Sequence, residues 1–160
     1  MPRTLILGIG NTLLTDEGVG VYALHALHRQ FGHLPDLDFL DGGTLSFTLA
    51  GAIEEADHLI VLDAAELNAE PGVVHTFEDA AMDGFLGAAR RSVHEVGLID
   101  LMDIARLTEH VPHRRALIGI QPHRFEWGET PSPELIAALP RVKAEFRRLL
   151  ESWGCLKVAA

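Results

Sequence analysis

The chain has 160 residues, of which 48% are hydrophobic and 22% charged, so it is long enough to bury the core of one soluble domain over residues 1–160. Its net charge of −10 at pH 7 repels phosphate backbones and anionic lipids, which argues against nucleic-acid and membrane partners. A single cysteine, Cys155, excludes an internal disulfide and a cysteine-rich metal site. Because the sequence shows no signal-peptide pattern and no run of about twenty apolar residues, we expect a cytoplasmic protein.

Short apolar runs alternate with helical patterns along the chain. Buried strands are predicted over residues 3–9, 37–40, 58–64 and 116–120, and a weaker strand over 73–77. Apolar residues at helical spacing predict helices over 19–31, 45–53, from near Gly97 to 105, and over 135–153. No element is assigned between residues 79 and 93. This alternation predicts an α/β fold: a single domain with a twisted, mostly parallel sheet and helices on both faces.

Polar residues follow several of the predicted strands. Ligands of such folds bind beyond the carboxyl ends of the strands, so these residues are the candidates for chemistry. They are Asn11, Asp16, Glu17, Asp41, Asp63 and Gln121.

Two of these carboxylates are candidate metal ligands. Asp63 ends an apolar strand, where an ionised carboxylate is costly without a partner, although it could instead cap a turn. Glu17 lies near the start of the first helix, where an acid is also favoured by the helix dipole. Together with an imidazole such as that of His94, placed just before a helix, they would form a three-ligand set that leaves open positions on a divalent metal.

Dinucleotide binding is the alternative from another class. Gly8 and Gly10 follow the first strand, and Asp41 ends the second strand, where a ribose-binding acid would lie. Leu13, however, takes the place of the third glycine of that fingerprint. The adjacent carboxylates of Asp16 and Glu17 would also repel a pyrophosphate at the helix start.

Four motifs in order resemble the maturation endopeptidases of nickel-iron hydrogenases. The motifs are Gly8-Ile9-Gly10-Asn11-x-Leu13-x-x-Asp16-Glu17-Gly18-x-Gly20, then Asp41-Gly42-Gly43-Thr44, then the strand that ends at Asp63, then His94-x-x-Gly97-Leu98. Each motif is weak alone, but their order and spacing match over residues 3 to 153.

The resemblance implies that Glu17, Asp63 and His94 contact the metal, and that Asp41, Gly42, Gly43 and Thr44 contribute to substrate recognition. It also implies an endopeptidase that removes a C-terminal peptide from the hydrogenase large-subunit precursor once nickel has been inserted. On this reading the substrate supplies the nickel, other divalent metals can occupy the site, and the protease is a monomer. A metal-sensing chaperone without proteolysis is the non-enzymatic alternative.

No conventional nucleophile is visible in the sequence. Cys155 lies in the C-terminal tail, and no triad pattern accompanies any serine. The sequence therefore leaves open whether the hydrolysis depends on an aspartate or on a metal ion. The loop His123-Arg124-Phe125-Glu126-Trp127-Gly128 either contributes to the choice of hydrogenase or is an ordinary surface loop.

Overall fold

The computed structural model describes residues 2–44, 46–88 and 93–157, without the side chains of residues 93–96. The strands are β1 (Thr4–Ile9), β2 (Leu37–Gly43), β3 (His58–Ala64), β4 (Val74–Glu78) and β5 (Arg114–Ile120). The helices are α1 (Val19–Phe31), α2 (Ala50–Glu55), α3 (Ala80–Ala88), α4 (Val93–Leu107), α5 (Pro133–Ile136) and α6 (Leu139–Ser152). Short 3-10 helices cover Thr15–Gly18 and Phe47–Leu49.

The five strands form one sheet in the order β2-β1-β3-β5-β4. Strands β1, β2, β3 and β5 run parallel, whereas β4 pairs antiparallel with β5 at the edge. The chain passes from β1 outward to β2 and then returns to β3 on the other side of β1. Between β1 and β3 the strand order therefore reverses, which is where parallel α/β sheets open a ligand crevice.

Helices cover both faces of the sheet, as the sequence predicts. Helices α1 and α6 pack on one face, with Leu27, Phe31 and Phe146 in that core. Helices α2, α3 and α4 pack on the other face around Met82 and Leu101. The predicted α/β fold with a mostly parallel sheet is confirmed.

Several predicted boundaries were wrong. Strand β2 continues through Asp41, Gly42 and Gly43, because these residues still pair with the end of β1 across a bulge at Gly8 and Ile9. The strand predicted to end at residue 40 therefore ends at Gly43. The predicted helix over 45–53 is a 3-10 turn followed by the short α2, and Leu45 lies outside the described residues.

The remaining differences concern helices. Helix α3 occupies part of the segment left unassigned, and α4 begins at Val93, so that His94 lies inside a helix rather than before one. The single C-terminal helix is divided into α5 and α6, with Pro140 in the first turn of α6. Proline lacks the amide hydrogen that an uninterrupted helix would need there. Among the described segments, no helix has the length and apolar character that a bilayer crossing requires.

Candidate functional site

The carboxyl ends of β1 and β3 bring two of the predicted ligands to the crevice. Asp63 is the penultimate residue of β3 and is only 2% exposed. Glu17 lies in the 3-10 turn that follows β1 and is half-buried. Both predicted carboxylates therefore lie at the point where the strand order reverses.

Close backbone packing holds the Glu17 segment against the two strand ends. A Cβ atom at Gly20 would lie 2.2 Å from the carbonyl oxygen of Leu62, the residue before Asp63. A Cβ atom at Gly10 would lie 1.9 Å from the carbonyl oxygen of Glu17. Only glycine permits these approaches, so the glycines of the first motif set the position of Glu17 relative to β1 and β3.

For His94, the third predicted ligand, the structure describes only the backbone. Its backbone lies in the first turn of α4, but its side chain lies outside the described ones. Among the side chains that are described, no group of three or more His, Cys, Asp or Glu residues is arranged to hold a metal ion. The set of Glu17, Asp63 and His94 thus stays a prediction, and its two carboxylates have the oxygen donors that divalent metals accept.

The end of β2 borders the same crevice. The backbone amide of Gly10 donates to the carbonyl oxygen of Gly43 at 2.8 Å. The Asp41 Oδ1 atom accepts a hydrogen bond from the Gly43 amide at 2.9 Å, and Gly43 adopts a φ of +51°, which favours glycine. Asp41 and Thr44 are exposed beside the crevice. Their role in substrate recognition is a prediction that the fold leaves open.

Asp16 is the residue whose role the sequence did not reveal. Although an acid at this position often caps a helix, no side-chain cap bond is present at Thr15–Gly18 or at α1. Its fully buried carboxylate instead accepts hydrogen bonds from the Ser132 amide at 2.6 Å and from the Ser132 hydroxyl. It also accepts from the amides of His123 at 2.7 Å and Arg124 at 2.9 Å.

These donors keep Asp16 ionised. Burial raises the pKa of the Asp16 carboxyl, but the hydrogen bonds from Ser132, Arg124 and His123 outweigh burial and hold that pKa below its ordinary value. The buried anion is thus stabilised by backbone and hydroxyl dipoles rather than paired with a cation. The same bonds fasten the loop of residues 123–132 to the segment that carries Glu17.

Gln121 performs a similar task at the end of β5. Its Oε1 atom accepts a hydrogen bond from the Leu67 amide at 2.7 Å, and its Nε2 donates to the Glu66 carboxylate at 3.2 Å. The loop that follows β3 is thereby fixed against the end of β5. No local pattern announces the partner of Gln121, because Leu67 lies 54 residues earlier in the chain.

The fold and these residues define an α/β protein with acidic side chains at the reversal of strand order. Comparison with known proteins then shows the family to which the chain belongs. The family model of the HycI hydrogenase maturation protease matches residues 21–146. The chain is 38% identical over 154 residues to the hydrogenase expression/formation protein HupD of Rhizobium leguminosarum, covering 96% of the chain and 76% of HupD.

Solved structures agree with this match. The hydrogenase maturating endopeptidase HybD of Escherichia coli superposes with a TM-score of 0.87 at 30% identity, over 95% of this chain and 94% of that one. The hydrogenase maturation protease HybD of Thermococcus kodakarensis gives a TM-score of 0.78 at 28% identity, over 92% and 98% of the two chains. The chain belongs to the hydrogenase maturation protease family, and it is a peptidase. That family acts on the large-subunit precursor of hydrogenase.

Proposed function

We propose that this peptidase removes the C-terminal peptide from the nickel-loaded large-subunit precursor of a nickel-iron hydrogenase. Nickel is recognised as part of the substrate, through Glu17, Asp63 and His94. The observation that carries the proposal is the position of Glu17 and Asp63 at the ends of β1 and β3, where an α/β sheet binds its ligand.

The chemistry of the three side chains suits a metal that another molecule already holds. Thiolates of the precursor would occupy part of the coordination sphere of nickel, and carboxylate and imidazole groups are acceptable further ligands. Three protein ligands that complete a shared site bind the loaded precursor more tightly than the unloaded one. Cleavage would then wait for metal insertion.

The end of β2 would position the precursor chain in the crevice. Residues 41–44 lie at the end of β2, next to the end of β1. The Gly10 amide donates a hydrogen bond to the carbonyl oxygen of Gly43 there. The exposed Asp41 carboxylate offers a hydrogen-bond acceptor. Gly42 and Gly43 have no side chains, which leaves room for an extended peptide. We assign these four residues to substrate recognition.

The experiment is an intact-mass measurement on purified precursor, in nickel-loaded and nickel-free form, mixed with this protein. We expect loss of a C-terminal peptide from the loaded precursor alone. Equal trimming of both forms would refute nickel recognition. Binding without any trimming would instead identify a metal-sensing chaperone, and stabilisation by a dinucleotide would support the cofactor-binding alternative.

A further inference from the structure

Three exposed apolar side chains lie on the segment that precedes Glu17 and on the loop that is hydrogen-bonded to this segment. Leu13 is 49% exposed, Phe125 58% and Trp127 82%. We call these three residues the apolar rim. Large exposed apolar groups that lie together on a rigid support mark interaction sites more often than scattered ones do.

Hydrogen bonds join the two segments that carry the apolar rim. The Gly128 amide donates to the Leu13 carbonyl oxygen at 2.9 Å, and the Thr15 amide donates to the Gly128 carbonyl oxygen at 2.8 Å. Leu14 and Gly128 thereby form a short parallel β-bridge. Leu13 and Trp127 are each next in sequence to a residue of this bridge, so they lie at the same edge of the molecule.

The buried polar side chains of Thr15 and Asp16 hold the loop that carries Phe125 and Trp127. The Asp16 carboxylate accepts from the amides of His123 and Arg124, as described above. The Thr15 hydroxyl donates to the Arg124 carbonyl oxygen at 2.9 Å and accepts from the Glu126 amide at 3.0 Å. A loop held in this way loses little further conformational entropy when a partner covers its aromatic side chains.

The position and charge of the apolar rim indicate its partner. Asp16, which anchors the loop, directly precedes Glu17, so whatever places a metal at Glu17 also comes close to the loop. Exposed carboxylates of Glu126 and Glu129 lie on either side of Trp127 in the sequence, in a chain of net charge −10. They complement a surface with an apolar centre and a basic margin.

We infer that the apolar rim docks on the large-subunit precursor, on an apolar surface bordered by Lys and Arg side chains beside the nickel site. The inference rests on the proposed function for the identity of the partner. Trp127 is the principal anchor, because it combines a large aromatic surface with the greatest exposure of the three. The contact is independent of nickel and adds affinity for both forms of the precursor.

The chain contains two tryptophans, which permits a direct test. Trp127 is exposed, whereas Trp153 is buried in the core formed with α6. We would label the full-length protein with 5-fluorotryptophan, assign its two fluorine resonances with Trp127→Phe, and titrate it with unlabelled nickel-free precursor. We expect a saturable shift of the Trp127 resonance and an unchanged Trp153 resonance. A Trp127 resonance that does not respond at saturating precursor would overturn the inference.

Kinetic comparison of variants provides the second readout. We expect Trp127→Ala to raise the KM for nickel-loaded precursor about tenfold or more with kcat nearly unchanged, since it removes docking and not chemistry. Leu107→Ala is the matched control, because Leu107 is 85% exposed at the end of α4, at the opposite end of the sheet. Equal KM values for both variants and the wild type would refute docking at the apolar rim.

The outcomes separate this inference from the proposed function. A responding Trp127 resonance with no trimming of the loaded precursor would leave docking intact and refute proteolysis. Nickel-dependent trimming with an unresponsive Trp127 resonance would support the proposed function and refute docking at the apolar rim. A Trp127 resonance that shifts with the concentration of the protein alone would assign the apolar rim to contact between two copies of this chain, and would likewise overturn the inference.

Discussion

The two ends of the sheet treat charged groups in different ways. At the amino-terminal end, carboxylates bind guanidinium groups: Asp83 forms two hydrogen bonds with Arg115, at 2.9 and 2.6 Å, where β5 begins. At the carboxyl end, the buried Asp16 carboxylate is held by backbone amides and a hydroxyl group, beside Glu17 and near Asp63. Opposite charges pair at one end, whereas at the other end dipoles stabilise a negative charge without cancelling it.

This difference separates stability from function. The pair of Asp83 and Arg115 carries no net charge, so it offers stability rather than an attraction for a charged ligand. Dipoles that hold Asp16 leave the sheet end acidic, which suits recognition of a cation carried by the substrate. Substitutions at the two ends should therefore change different properties, and the following predictions test that separation.

The largest effect is expected at the carboxyl end of β3. Asp63→Asn keeps the size of the side chain but removes its charge, and we expect cleavage of nickel-loaded precursor to fall about a hundredfold or more, since even residues behind metal ligands cost up to that much. Glu17→Ala and His94→Ala should behave alike, with unchanged circular dichroism. His123→Ala is the control that retains activity. Wild-type cleavage by the His94 variant would refute the assignment of ligands.

The next effect concerns the anchor of the loop. Asp16→Ala leaves the amides of His123, Arg124 and Ser132 without their acceptor, and we expect the free energy of unfolding to fall by about 2–4 kcal/mol. Urea denaturation would measure it. Asp38→Asn is the control, because Asp38 forms an exposed ion pair with Arg3 that should contribute nothing measurable. Equal stability of the Asp16 variant and the wild type would show that the loop is not fastened by this carboxylate.

The lowered pKa of Asp16 also makes the stability of the fold sensitive to acid. Its folded-state pKa lies below the ordinary value of 3.8, so the unfolded chain binds its proton first as the pH falls. The stabilisation is complete above pH 3.8 and is lost as the pH falls through the lowered pKa. The Asp16 variant should lack this part of the acid-induced loss of stability, as urea titrations at successive pH values would reveal.

A smaller effect is expected at the start of β5. The hydrogen bond from Arg115, opposed by burial, lowers the pKa of Asp83. Because both side chains are only partly exposed, we expect Asp83→Asn to lose about 1–2 kcal/mol of stability while the cleavage rate stays unchanged. A loss of cleavage without a loss of stability would contradict the separation of the two ends.

His58, at the start of β3, should give the stability of the fold a further dependence on pH. Burial, and then the neighbouring His113, lower the pKa of His58 below its ordinary value of 6.5. The neutral ring is favoured in the fold, so stability falls as the pH decreases from 6.5 toward the lowered pKa. We expect His58→Phe to reduce the change in unfolding temperature between pH 7.5 and 5.5. An exposed-site variant, His33→Gln, should leave that change as it is in the wild type.

The smallest effect is expected for the only cysteine. The Cys155 Sγ atom lies 3.5 Å from His58 Nδ1, at the beginning of β3, whereas Asp63 lies five residues along the strand, about 17 Å away. A thiol–imidazole pair is therefore remote from the crevice, and Cys155→Ser should cleave precursor at the wild-type rate. An inactive Cys155→Ser variant that remains folded would relocate the active site.

Local sequence patterns predicted the fold because its main features are local. The apolar run of β3 lies within 7 consecutive residues and the helical spacing of α1 within 13, and both elements occur where predicted. Boundaries that depend on pairing were missed: β2 extends to Gly43 because β1 lies beside it, a contact between residues more than thirty positions apart. Tertiary pairing of this kind outweighs the turn preference of two glycines.

The candidate site was predictable only as far as strand ends could be recognised. Glu17 and Asp63 follow from the rule that ligands bind beyond carboxyl ends of parallel strands. The bond between Asp16 and Ser132 spans 116 positions, and neither residue carries a local signal for the other. The loop of residues 123–128 could be recognised in the sequence as a candidate for substrate choice, but the exposure of Phe125 and Trp127 depends on how Asp16 and Thr15 fix that loop.

Nickel X-ray absorption tests the central claim most directly. The spectrum of nickel-loaded precursor would be recorded alone and in a mixture with this protein that is frozen within the first turnover. We predict that the mixture gains oxygen and nitrogen ligands at nickel, and that the gain is smaller with Asp63→Asn. An unchanged nickel spectrum in a mixture that goes on to cleave the precursor would contradict recognition of the metal by Glu17, Asp63 and His94.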